Sequence, residues 1–132
     1  ENYATLKTLL EEKGHVFKSQ TDTEVLAMLI GELYDGDLEK AVQAALREVT
    51  GAYGIVVMCE KEPETLVCAR KGSPLMVGVG NGEFVVASDG SAIIAHTSQA
   101  FALEDYQVVK LTPKGFRTST INNKHAKTLM TK

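Results

Sequence analysis

The chain has 132 residues, 44% of them hydrophobic and 23% charged, with a formal net charge of −3. That size suits one domain that can bury a core without metal or disulfide staples. The acidic balance, with no long basic run, excludes electrostatic capture of nucleic acid or of an anionic membrane surface, and no stretch approaches the ~18 apolar residues of a membrane-spanning helix.

The elements follow in chain order. Leu6, Leu9 and Leu10 recur at helical spacing within residues 3–12, and Gly14 stands where a helix C-terminus is expected. This opening segment mixes acids with amphipathic spacing and does not have the build of a signal peptide. After HVFKSQ, an extended segment, residues 22–34 put Val25, Leu26, Leu29, Ile30 and Leu33 on one stripe. DGD at 35–37 breaks that helix. A third runs over 38–50, with Leu38, Ala41, Val42, Ala45, Leu46 and Val49 inward, and Gly51 stops it.

The pattern then changes to strands. AYGIVVMCE (52–60) is a near-continuous apolar run, the signature of a strand covered on both faces. KEPE turns the chain into a hairpin partner, TLVCARK (65–71), and GSP (72–74) turns it again. LMVGVG (75–80) and EFVVAS (83–88) flank Asn81-Gly82, a hairpin-turn pair. Asp89 or Ser91 caps a short helix through Ile93, Ile94 and Ala95. FALE (101–104), YQVVKLT (106–112) and FRTST (116–120) are further strands, the last two joined by PKG. The polar tail from 121 to 132 has no period and resembles the start of an interdomain linker. The fold class is therefore α+β, antiparallel sheets packed with helices. GVGNGE at 78–83 lies between strands, with no helix N-terminus to hold an anion, so it is read as a hairpin and not as a phosphate loop.

One carboxylate stands out. Thr21 and Glu24 have the spacing of a capping box, and Asp22 between them falls in the first helical turn, where the helix dipole favours its charge. Asp22 is thus either part of the cap or a group aimed into a pocket to pair with a cation. Cys59 and Cys68 sit among Val, Met, Leu and Ala, which favours inert thiols over a nucleophile. Their spacing to His15, His96 and His125 is not that of a metal site, and reduced thiols fit a cytoplasmic protein. The histidines read as surface or capping residues, and Glu11, Glu12, Glu60 and Glu62 as solvated acids. Arg70-Lys71-Gly72-Ser73-Pro74 reads as a fixed turn at a strand end.

Taken in order, ENYATLK, KGHVFKSQTDTEV, LREVTGAYGIVV, ARKGSPLMVGVGNGEFVVASD and ALEDYQVVKLTPKG resemble the glutaminase domain of the glutamine–fructose-6-phosphate aminotransferase (isomerizing) family. The match runs from residue 1 to about 118. The motifs TDTE, GAY, ARKGSPL and ASD are specific as a set and weak one by one. Other class II amidotransferases, such as amidophosphoribosyltransferase, share parts of the pattern. The resemblance implies an N-terminal-nucleophile hydrolase fold over residues 1–120, with a linker starting in 121–132. It implies hydrolysis of glutamine to supply ammonia for converting fructose 6-phosphate to glucosamine 6-phosphate.

In that family an N-terminal cysteine attacks the glutamine amide, and an Asn-Gly pair before the ENY segment forms the oxyanion hole. Sugar-isomerase domains follow the glutaminase domain. Neither Cys59 nor Cys68 matches the nucleophile's position. The chain starting at Glu1 is therefore expected to be a fragment, inactive by itself, binding glutamine weakly or not at all, and forming a homodimer through strand edges left open. Of the family's site residues, Asp22 alone carries over, and the resemblance assigns it the α-ammonium of glutamine. No cofactor and no metal is implied. The competing expectation is a non-catalytic binding or scaffold module of the same fold.

Overall fold

The computed structural model describes residues 2–80, 83–89 and 99–122. Two compact units divide it, Glu1–Gly51 and Ala52–Lys132.

The first unit is helical: α1 (Tyr3–Glu12), α2 (Asp22–Leu33) and α3 (Leu38–Arg47). α2 packs against both α1 and α3. Leu6 and Leu10 of α1, Val25, Leu26, Leu29 and Ile30 of α2, and Leu38, Ala41, Val42, Ala45 and Leu46 of α3 are buried, as their spacing predicts. Full burial of one such Leu, Ile or Val stabilises by about 1.5–3 kcal/mol. Leu9 and Leu33, read on the same stripes, are exposed, because each stripe is wider than the seam it covers. Gly14, at φ +98°, turns the chain just past α1.

The end of α3 departs from expectation. The periodicity carries the helix to residue 50, but it ends at Arg47. Glu48 and Val49 bond to Ala45 and Leu46, a tightened final turn. Asn2 then captures what is left: its Nδ2 donates to Glu48 O at 2.7 Å and its Oδ1 accepts from Thr50 N at 3.0 Å. Val49 remains buried beyond the helix end.

The second unit is built of strands: β1 (Tyr53–Cys59), β2 (Glu62–Lys71), β3 (Met76–Val79), β4 (Phe84–Ala87), β5 (Ala100–Ala102), β6 (Gln107–Thr112) and β7 (Gly115–Thr120). They form two antiparallel sheets, ordered β1-β2-β6-β7 and β4-β3-β5. Cys68, Val109 and Leu111 of the larger sheet meet Leu75, Val77, Phe101 and Leu103 on the side of the smaller. Phe116 lies against this interior, its ring tilted by 32° to that of Phe101 with centroids 5.1 Å apart and edge-on to Phe84 at 6.3 Å. Val67, Ala69 and Val108, alternate residues of β2 and β6, are buried on the opposite face.

Two strand expectations are corrected. β1 is not covered on both faces: it lies at the sheet edge and alternates, with Val56 exposed and Met58 74% exposed. Its apolar run misled because an edge strand borrows cover on one face only. The β1–β2 turn is Glu60-Lys61, with Cys59 opposite Glu62, so β2 begins before the expected KEPE turn is complete. Pro63 falls where the ladder register slips, a place that tolerates a residue without an N–H. Asn81-Gly82, the body of the short helix through Ala95, His96, His125 and the tail from residue 123 lie outside the described residues.

Candidate functional site

The site is built on the entrance to α2. Thr21, with φ −82° and ψ 146°, is the N-cap, and its Oγ1 accepts from Glu24 N at 3.3 Å. That is half of the expected capping box. The other half is redirected, since Glu24 does not return to Thr21 N. Its Oε2 accepts from Lys18 N at 2.8 Å, and its Oε1 accepts from Ser19 N at 2.7 Å and Ser19 Oγ at 2.6 Å. Ser19 Oγ in turn lies 2.9 Å from Thr21 Oγ1 and accepts from Thr21 N. These bonds to its charged form, that from Lys18 N foremost and that from Ser19 Oγ next, hold the Glu24 carboxyl below its usual range.

The same approach loop is tied at two more points. His15 Nε2 lies 2.6 Å from Glu32 Oε1, and Lys13 lies 3.5 Å from Glu32 Oε2. The hydrogen bond to His15 is the main cause of a lowered Glu32 carboxyl. Lys7 of α1 sits over the Phe17 ring at 5.4 Å.

Asp22, the first residue of α2, is exposed, and its carboxylate takes no hydrogen bond or ion pair among the described residues. The N-terminal end of α2 adds favourable dipole to its charge. Its charge acts on Tyr3, at the start of α1. Burial, first, and the Asp22 charge, second, raise the Tyr3 phenol above its ordinary range. Asn2 and Tyr3 open α1, with Asn2 committed to the end of α3. An uncommitted anion beside a phenol that keeps its proton is chemically suited to a ligand ammonium.

The remaining candidates have structural work. Cys68 is fully buried in the sandwich interior, and burial pushes its thiol up to about 12. Cys59 is half-buried near the β1 hairpin end. Arg70 donates from Nε to Ser73 O at 3.1 Å and from Nη1 to Leu103 O at 2.7 Å, beside Asp105 at 3.6 Å. Asp105 Oδ1 also accepts from Gly72 N at 2.7 Å. The ARKGSP stretch is thus the fixed turn that its composition predicts. Sequence reasoning missed Tyr3 and Asn2, for which no local pattern signals a partner so distant along the chain. It found Glu24 but gave it the wrong partner.

Residues 1–95 match the glutamine amidotransferase domain family. The chain belongs to that family. It is 46% identical over 121 residues to a glutamine–fructose-6-phosphate aminotransferase (isomerizing) of Symbiobacterium thermophilum, covering 92% of this chain and 20% of that protein. Its counterpart in Bordetella pertussis is 51% identical over 111 residues, covering 84% and 18%. The chain thus spans about a fifth of the length of the curated relatives it matches. Among solved structures, the glutamine phosphoribosylpyrophosphate amidotransferase of B. subtilis, complexed with ADP and GMP, superposes with a TM-score of 0.79 at 27% identity. The match covers 91% of this chain and 27% of that one. A second, described as the allosteric regulatory enzyme of purine biosynthesis, gives 0.76 at 27% identity over 91% and 26%. The α+β class, with the antiparallel sheets and helices of the N-terminal-nucleophile hydrolase type, is that of this amidotransferase domain. No helix among the described residues is long and apolar enough to cross a membrane.

Proposed function

We propose that the chain is part of the glutamine-hydrolysing domain of an isomerizing glutamine–fructose-6-phosphate aminotransferase. In this reading residues 1–120 belong to the domain and 121–132 begin a linker, and the protein is cytoplasmic. The domain releases ammonia from glutamine for conversion of fructose 6-phosphate to glucosamine 6-phosphate. The identity of 46–51% to such aminotransferases supports this reading over an amidophosphoribosyltransferase, where the structural likeness comes with 27% identity.

Asp22 binds the α-ammonium of glutamine in this reading. The observation that carries it is the division of labour at the α2 entrance: Glu24 takes up the loop amides, and the Asp22 carboxylate stays uncommitted beside Tyr3. In the full-length polypeptide, Asp22→Asn raises the glutamine KM by about tenfold to a hundredfold, the equivalent of ~1.5–3 kcal/mol for a hydrogen bond to a charged group. Fructose 6-phosphate binding is unchanged. Steady-state glutamate release measures this, and a wild-type glutamine KM in the variant removes the anchor.

Residues 1–132 by themselves release no glutamate and associate as a homodimer. The sealed Cys68 supports the first statement. The open edge of β1, with Val56 and Met58 bare, supports the second. Glutamate above the enzyme-free blank, or a single monomer boundary in sedimentation velocity, refutes the respective statement.

A further inference from the structure

We propose that Glu24 is the positioning residue for the Asp22 carboxylate, acting through the backbone of residues 18–21 and not by touching substrate. This rests on Asp22 being the ammonium anchor.

The geometry is specific. An ordinary capping box ties its third helical residue back to the N-cap, which fixes only the helix entrance. Glu24 reaches further upstream. Its two oxygens span successive amides, Lys18 N at 2.8 Å and Ser19 N at 2.7 Å, and Ser19 Oγ adds a third bond at 2.6 Å. Ser19 Oγ passes the restraint on, accepting from Thr21 N and meeting Thr21 Oγ1 at 2.9 Å. Thr21 Oγ1 then accepts from Glu24 N, which closes a ring of side-chain bonds around Thr21 and Asp22. Ser19, Thr21 and Glu24 therefore belong to one closed circuit, and Asp22, which lies between Thr21 and Glu24 in the chain, takes no bond in it.

Glu24 takes up both of those amides, and the Asp22 carboxylate takes neither. Lys7 adds to the arrangement: its charge favours the Glu24 carboxylate, and its ammonium sits over Phe17 in the same loop. Charge-assisted bonds of this kind are short and directional, which suits a device that fixes an angle.

A double-mutant cycle in the full-length polypeptide tests this, with the glutamine KM and kcat read from glutamate release. Glu24→Gln keeps the side chain's shape but brings an NH2 against amide donors. It is expected to raise the glutamine KM about tenfold and to leave kcat within twofold. In an Asp22→Asn background, the same change is expected to raise KM by less than twofold, because the group that it positions is gone. A wild-type KM for Glu24→Gln overturns the proposal while the Asp22 anchor stands. So does a tenfold effect that persists undiminished in the Asp22→Asn background, since Glu24 then acts by another route. A wild-type KM for Asp22→Asn overturns the anchor and the proposal together. If Glu24→Gln does not fold, Ser19→Ala removes one bond of the ring and runs the same cycle, with a threefold KM rise that vanishes in the Asp22→Asn background.

Discussion

Two loops in this domain are held by the same device and end with opposite properties. Between α1 and α2, Glu24 accepts from the amides of Lys18 and Ser19. Between β2 and β3, Asp105 accepts from the amide of Gly72. In the β2–β3 turn the locking carboxylate stands beside a cation, Arg70, whose guanidinium is itself spent on Ser73 O and Leu103 O. Asp105 and Arg70 both serve the turn. In the α1–α2 loop a second carboxylate, Asp22, is left over. Of these two loops, the α1–α2 loop is the one that keeps a carboxylate its own hydrogen bonds do not use.

The comparison breaks first at Gly72. Its φ of +77° lies in the left-handed region, and a Cβ there would meet Ala52 Cβ at 2.9 Å. Gly72→Val combines backbone strain with a steric clash, costing about 1–3 kcal/mol. The midpoint of urea unfolding should fall, while the glutamine KM of whatever enzyme remains folded stays at the wild-type value. A KM change with an unmoved midpoint would mean that the β2–β3 turn takes part in substrate binding and that the contrast between the loops is false.

A smaller effect sharpens the α1–α2 side. The Asp22 charge is the lesser of two causes that raise the Tyr3 phenol, burial being the greater. Asp22→Asn therefore lowers the Tyr3 pKa but does not return it fully to the ordinary value of about 10. Ultraviolet difference titration of the variant against wild type reads this. An unmoved or raised Tyr3 pKa separates the two side chains.

The Glu24 clamp has its own pH signature. Its carboxyl is held low in the folded state by the Lys18 amide foremost. Its contribution is complete above the unfolded carboxylate pKa of about 4.3 and is lost only as pH falls through the lower folded value. The loop geometry is therefore constant across neutral pH.

How much of this was legible in the sequence depended on range. α2 is legible almost to the residue because its cap, stripe and breaker are local, and the β6–β7 hairpin is legible because its turn residues mark it, whereas the β1–β2 turn falls at Glu60-Lys61 and not at KEPE. The length of α3 was not. Its last turn is set by Asn2, a partner nearly 50 positions away, and no periodicity encodes that. The exposed face of β1 is not legible either, because composition reports how apolar a strand is and not whether both its faces are covered. TDTE gave Asp22 and Glu24 together. Which of the two stays free is decided by where the amides of Lys18 and Ser19 fall, a matter of three-dimensional loop path.

Cys68, closed between the two sheets with its proton held tightly, gives the domain a built-in clock. An alkylating reagent can reach that sulfur only when the sandwich comes apart, so its rate of modification counts openings instead of surface accidents. The same seal keeps this thiol out of mixed disulfides for as long as the sheets stay together.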